Sequence, residues 1–301
     1  MVLLQGGEFL MGSDCHYPEE APARRVAVDG FWIDRFPVTV ADFRQFVDTT
    51  GHVTTAEIAP DPNHYPGILP ELIRPGSLLF VQPEGRVPAV AMRHWIYAPG
   101  ACWRDPLGTG APDGAWEDHP VVHVTYADAL AYAAWAGKSL PTEAEWEFAA
   151  RGGLDGAAFA WGDVLAPDGN MLANFWQGNF PWQNLMTDGF ERTSPVGSFP
   201  ANGYSLYDMI GNVWEWTDDW FAPRGAQPKP ACCTPRNPRG GVEEASHDPQ
   251  MPDFKIGRKV LKGGSHLCSE NFCQRYRPAA RYPQAVDTST SHIGFRCVRR
   301  A

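Results

Sequence analysis

Long apolar runs are missing from this 301-residue chain, and so is any run of lysine and arginine. No stretch approaches the ~20 apolar residues that a bilayer-spanning helix needs. The opening, Met1-Val2-Leu3-Leu4-Gln5-Gly6-Gly7-Glu8, has no basic segment ahead of its short apolar run, so it does not read as a secretory leader. The expectation is a soluble, cytoplasmic protein with no membrane partner. With 35 acidic against 25 basic residues and a formal charge of -10, the electrostatic footprint of a nucleic-acid binder is absent. A neutral or cationic partner fits that charge better. Seven cysteines are too sparse for a disulfide scaffold, and their odd number leaves at least one unpaired. The chain also lacks Cys-x-x-Cys, His-Glu-x-x-His, a Gly-x-Ser-x-Gly elbow and a Gly-x-x-x-x-Gly-Lys loop, so zinc-hydrolase, serine-hydrolase and phosphate-loop chemistries have no support. No internal repeat or low-complexity tract stands out.

What is present near the C-terminal end is a pair of cysteines, Cys268 and Cys273, just after Gly263-Gly264-Ser265. Their spacing puts the thiols off a common helix face and on opposite faces of a strand, so a shared site requires a bend. The two glycines make one plausible. Converging thiols could form a labile disulfide or a two-coordinate site for a soft ion such as Cu(I), whereas structural zinc wants two further ligands. An incidental structural pair remains equally open in a reducing compartment. Of the other five, Cys15, Cys102 and Cys297 are isolated, and the adjacent Cys232 and Cys233 lie in a Pro-rich stretch that reads as a loop.

Three segments read as helices with a start signal and a glycine stop. Thr39 with Asp42 opens one that buries Phe43, Phe46 and Val47 and ends near Gly51. Thr125 with Asp128 opens a second, expected to bury Leu130, Ala131, Ala134 and Trp135 and to stop at Gly137. Thr142 with Glu145 opens the third, with Trp146 and Ala149 on one face and Gly152-Gly153 at its end. Strand candidates are 31–34, 121–124, 259–262 and 293–298. Thirty glycines, 28 prolines and 12 tryptophans otherwise favour short strands and ordered loops. The Pro-rich segments 59–118 and 222–253 read as long surface excursions of one domain.

A second cluster runs from Ala173-Asn174-Phe175-Trp176-Gln177-Gly178 through Asp188-Gly189-Phe190 to Tyr207-Asp208-Met209-Ile210-Gly211-Asn212-Val213-Trp214-Glu215-Trp216. Its amides, carboxylates and glycine-exposed carbonyls are the donors Ca²⁺ takes. Ordinary Asn-Gly and Asp-Gly turn chemistry explains the same residues, and by the residues alone more readily. The surrounding Trp176, Trp182, Trp214, Trp216 and Trp220 read as a binding wall or, more commonly, as core.

Taken together, Gly6-Gly7-x-Phe9-x-Met11-Gly12-Ser13, Leu140-Pro141-Thr142-Glu143-Ala144-Glu145-Trp146-Glu147, Gly211-Asn212-Val213-Trp214-Glu215-Trp216, Gly263-Gly264-Ser265 and Gly294-Phe295-Arg296-Cys297 resemble the formylglycine-generating enzymes, or sulfatase-modifying factors, of bacterial type. The likeness covers nearly the whole chain. Most of these pieces belong to a wider superfamily; the cysteine pair followed by Arg275-Tyr276-Arg277-x-Ala279-Ala280-Arg281 is the part specific to active enzymes. The resemblance implies a single domain, 1–301, of mixed α/β (α+β) class with low regular secondary structure and a C-type-lectin-like fold. It implies an oxidase that converts the cysteine of Cys-x-Pro-x-Arg in an unfolded or nascent sulfatase to Cα-formylglycine, using O₂ and a thiol reductant.

By the same resemblance, Cys268 and Cys273 hold copper(I), with the substrate cysteine as a third sulfur ligand. Ser265 and Trp214 shape the oxygen and substrate-thiol pocket, and Arg281, Ser289 and His292 line the peptide groove. Structural calcium falls to Asn174, Phe175, Asp188 and Phe190 at one site and Asp208, Gly211, Val213 and Glu215 at another. A monomer is expected. The chain departs from secretory-pathway members in lacking the cysteines they carry at Ala133 or Ala134 and near Pro278, which leaves Cys297 free. It also carries His292 where others have Asn, and Phe272 for the usual Tyr. A sulfoxide synthase on a related domain would need a helical three-histidine iron domain, for which the chain has no room. A non-catalytic binding module of the superfamily lacks the cysteine pair.

Overall fold

A computed structural model describes the chain except for residues 64, 66, 89–93, 111, 113, 225–233 and 301. Cys232 and Cys233 lie outside the described residues. The strands are β1 (Val2–Leu4), β2 (Gly7–Met11), β3 (Arg24–Val28), β4 (Phe31–Ile33), β5 (Gly76–Phe80), β6 (Trp95–Pro99), β7 (Trp214–Trp220), β8 (Arg258–Lys262), β9 (Arg281–Ala285), β10 (Ile293–Gly294) and β11 (Val298–Arg300); the helices are α1 (Val40–Thr50), α2 (Tyr126–Trp135) and α3 (Glu143–Arg151). They build a four-stranded sheet in the order β10-β7-β8-β9, a three-stranded sheet β1-β4-β11, and the pairs β2-β3 and β5-β6. All pairings are antiparallel except β10 with β7. The result is mixed α/β with short elements and much ordered loop, as the glycine and proline content implied.

Each helix starts where the sequence signals it. Thr39, Thr125 and Thr142 accept from the backbone amide three residues on, and Asp42, Asp128 and Glu145 return the bond, so three capping boxes satisfy donors that a helix start leaves open. Gly51 and Gly152 end α1 and α3 in the left-handed region at φ 69° and 57°. α1 buries Phe43, Phe46 and Val47, with Phe43 edge-on to Phe46 at 5.3 Å.

α2 turns a different face inward from the expected one. Asp128, Ala129, Tyr132 and Ala133 are buried, while Leu130 and Trp135 are 45% and 37% exposed. Nearly every residue of this helix is apolar, so hydrophobicity could not mark the solvent side. Its rotation is set by contacts: Tyr132 stacks on Phe43 at 5.9 Å and meets Phe295 edge-on at 5.3 Å.

Two strand expectations also need correction. Residues 121–124 are buried but form no strand; His123 sits at φ +59°, and the segment's amides donate to Val38 and Thr290 on different partners. The run 293–298 divides: β10 pairs with β7, the chain then turns so that Arg296 points inward to Glu215, and β11 joins β4. The supposed surface excursion 59–118 contains the β5-β6 pair, whose strands do not alternate cleanly between buried and exposed residues. β9 carries Pro283, which an edge strand tolerates because one side of it needs no ladder donors.

Between α3 and the larger sheet lies a buried ionic network. Glu147 takes Lys262 Nζ at 2.9 Å, Arg151 at 2.7 Å and Arg224 at 3.3 Å, and Glu143 takes Arg224 at 2.8 Å and Arg281 at 2.8 Å. Burial pushes the Glu143 carboxyl up, but Arg281, Arg224 and Lys262 outweigh it and hold the group down to about 2. This network fixes α3, β8 and β9 behind the loop that carries the cysteine pair.

Candidate active site

The cysteine loop leaves β8 through Gly263-Gly264, and here glycine is required. Gly264 lies at φ +71°, and a Cβ there would fall 2.6 Å from the Arg275 carbonyl oxygen. That close approach lays residues 264–268 against 275–276. One tight turn then returns the second cysteine to the first: the amides of Phe272 and Cys273 both donate to the Ser269 carbonyl. The bend expected from the sequence is therefore present, and Cys268 Sγ and Cys273 Sγ are 3.3 Å apart with no disulfide between them.

The two thiols differ electrostatically. Hydrogen bonding from the Cys268 thiol, against opposing burial and aided by Arg275, brings Cys273 down to about 6. Burial and the neighbouring Cys273 push Cys268 up. Arg275 Nη1 stands 3.7 Å from Cys273 Sγ, Nη2 is bound by Glu19 at 2.5 Å, and its guanidinium lies over the Tyr17 ring at 3.8 Å. One sulfur is thus poised as thiolate and the other as thiol.

Both open onto a cavity of about 590 Å³, walled by Trp95, Phe180, Trp214, Phe272 and Tyr282 and also lined by Ser265 and His292. Ser265 Oγ accepts from the Leu267 amide at 3.2 Å, and the Ser265 amide points at Cys268 Sγ at 3.5 Å. Thr290 Oγ1 engages His292 Nδ1 at 2.6 Å, and burial, with smaller contributions from His266 and His123, pushes that imidazole down to about 3. It is neutral at physiological pH. Of the tryptophans, Trp214 is a cavity wall, while Trp176 and Trp216 are core. The aromatic lining from β6 and from residue 180 had no marker in the sequence beyond residue type.

Two of the expected groove residues lie outside this cavity. Arg281 is 1% exposed, held by Glu143 and by the Ala222 carbonyl at 2.8 Å, and does not line the cavity. Its charge is consumed by the network behind the site. Ser289 shares a hydrogen bond with Ser77 at 2.8 Å and lines an adjoining cavity of about 580 Å³. The two cavities have Leu78 and Thr288 in common, so Ser289 lies along a groove that continues from the cysteine site.

Among the described residues no three His, Cys, Asp or Glu side chains converge as a metal cluster. Two adjacent soft sulfurs, one already thiolate, suit a soft monovalent ion, which would take the place of the shared proton. Of the first calcium set, the Asp188 carboxylate accepts from the Phe175 amide at 3.1 Å and the Phe190 amide at 3.0 Å, and Gln177 bridges it to the Phe175 carbonyl, while the Asn174 side chain donates to the Arg192 carbonyl at 2.8 Å. The bonds given to this carboxylate come from neutral groups, and burial pushes it up. The second set is differently placed. Glu215 is bound by Arg296 at 2.7 Å and by the Trp146 indole at 2.7 Å, and the same guanidinium donates to the Asp208 carbonyl at 3.1 Å. Arg296 already supplies a cation to Glu215, and the Asp208 carboxylate accepts from the Gly197 amide at 2.7 Å, so these residues fit calcium less well. Cys297 is buried and free, as its missing partner implied.

A short-stranded mixed α/β domain with two unlinked thiols under an aromatic cavity defines the class. The whole chain, residues 1–301, matches the sulfatase-modifying factor enzyme 1-like domain, and the protein belongs to that family. It is 51% identical over 99% of its length, and 97% of the relative's, to a protein of Mycobacterium tuberculosis named formylglycine-generating enzyme. It is also 38% identical, over its full length and 86% of the relative's, to a mouse protein named inactive C-alpha-formylglycine-generating enzyme 2. The solved structure of PvdO from Pseudomonas aeruginosa shares the fold, with TM-score 0.65 at 23% identity over 99% of this chain and 93% of that one.

Proposed function

We propose that this protein oxidises the cysteine of a Cys-x-Pro-x-Arg motif in an unfolded or nascent sulfatase to Cα-formylglycine with O₂. The observation that carries the reading is the thiol pair 3.3 Å apart at an aromatic cavity, in a chain half identical to a relative named for that product. The net reaction fixes what the site supplies. A CH₂–SH group, O₂, two protons and two electrons become an aldehyde, H₂S and water. Carbon loses two electrons and O₂ gains four, so a thiol reductant outside the chain provides two.

Cys268 and Cys273 are the residues that would hold copper(I), which when bound supplies the one-electron reactivity towards O₂ that a closed-shell thiolate lacks. The chain's own groups do the rest. Cys273 offers a thiolate at neutral pH, and Cys268 gives up its proton when a cation binds. Ser265 Oγ already accepts from Leu267, so its hydroxyl hydrogen is available to donate into the cavity. Trp214 and Tyr282 exclude water from one side, and His292, engaged at Nδ1, presents Nε2 to substrate. The net charge of -10 favours approach of a motif that ends in arginine. The oxygens around Asp188 would hold calcium and so brace the segment 174–190, which packs Trp176 and Phe180 beside the cavity.

Copper(I) titration against a competing chelator tests the ligand assignment. One ion per chain is expected for the wild type and none for Cys268→Ser or Cys273→Ser. Equal binding by all three proteins would remove the cysteine pair from the metal site.

A further inference from the structure

His94 stands immediately before β6, 2% exposed, and lines the same cavity as the cysteine pair. Its ring meets Phe180 edge-on at 5.4 Å, Phe80 at 5.6 Å and Trp95 at 6.5 Å. Among the described residues, neither of its ring nitrogens has a hydrogen-bond partner. Apart from Arg275 Nε, these two are the only fully buried side-chain nitrogens or oxygens left in that state among the described residues of the cavity lining. Several other polar groups there are engaged: Thr290 with His292, Gln284 with Thr288, Ser265 with Leu267.

A buried polar atom with no partner costs more than a hydrogen bond returns on average. A phenylalanine would fill this aromatic niche without that cost. The arrangement is accounted for if the missing partners arrive with a ligand. We infer that His94 is a substrate-binding residue that hydrogen-bonds the main chain of the peptide entering the cysteine cavity, an inference that rests on the function proposed above. The chemistry selects the main chain. Burial lowers the affinity of this imidazole for a proton, and a neutral ring offers one donor and one acceptor. A polypeptide backbone carries one of each at every residue but proline. The aromatic neighbours bring no charge that would call for an ionic side chain instead. His94 therefore positions the peptide without touching the reacting sulfur.

The test is steady-state aldehyde formation from a synthetic Cys-x-Pro-x-Arg peptide by wild type, His94→Phe and His94→Gln, with thermal unfolding of each. Losing one hydrogen bond to the peptide raises KM about tenfold. His94→Phe should show that rise with kcat little changed and an unfolding midpoint equal to or above the wild type's. His94→Gln, which keeps a donor and an acceptor, should recover part of the loss. An unchanged KM with a lowered midpoint would make His94 a packing residue and overturn the inference alone. Should His94→Phe fail to fold, ¹⁵N resonances of the wild-type ring on adding a Ser-for-Cys peptide decide the point: a shift in both nitrogens supports contact, and no shift refutes it. A wild type that binds and converts no peptide would remove the proposed function, and this inference with it.

Discussion

Replacing Glu143 with glutamine keeps the shape of the ionic network behind the site and removes one of its charges. The carboxylate meets Arg224 Nη2 at 2.8 Å, Arg281 Nη2 at 3.0 Å and, at 4.0 Å, Lys262 Nζ. After Glu143→Gln those cations share Glu147, which Arg151 already binds. The wild-type group is held down to about 2, against an ordinary value of about 4.3, and at ~1.4 kcal/mol per decade this amounts to about 3 kcal/mol. Breaking a buried pair by removing one partner costs ~3–5 kcal/mol by independent reckoning. The folded-state value is depressed, so the stabilisation is complete above the unfolded value and disappears as pH falls through about 2. Urea unfolding of both proteins should therefore show a gap of about 3 kcal/mol at pH 7, shrinking to about half at pH 3. Equal stabilities at pH 7, or a gap independent of pH, would refute the electrostatic account.

Gly264→Ala forces a side chain into the Arg275 carbonyl at a left-handed position and should cost more than ~1 kcal/mol while abolishing aldehyde formation; full activity would show that the thiols do not depend on that close approach. Calcium at a hundredfold excess over its dissociation constant should stabilise the wild type by about 2.7 kcal/mol, and Asp188→Asn should lose that response in a thermal melt. Thr125→Ala removes the α2 cap and should lower stability by about 1 kcal/mol without changing KM; a changed KM would mean that α2 bears on the groove directly.

Local chemistry was the legible part of this sequence. Capping boxes and glycine stops depend on residues three or four apart, and all three helices began where Thr39, Thr125 and Thr142 predicted. What depends on distant partners was not legible. β7 carries Glu215, Thr217 and Asp219 inward because Arg296, the Val260 carbonyl and Arg239 answer them, so its polar residues hid a buried strand. Nor could the sequence show that Arg281, given a groove role by the resemblance, is held by Glu143 138 residues away. The cysteine pair was visible as a pair because its spacing is short, whereas the walls of its cavity come from segments as far apart as residues 78 and 292.

The central claim is that the thiol pair does the chemistry. Aerobic incubation of a short Cys-x-Pro-x-Arg peptide with copper-loaded wild type, Cys268→Ser and Cys273→Ser, scored by mass for the aldehyde, tests it most directly. The account predicts aldehyde from the wild type and none from either variant. Aldehyde from both variants at the wild-type rate, or peptide that binds the wild type and is never converted, would contradict it.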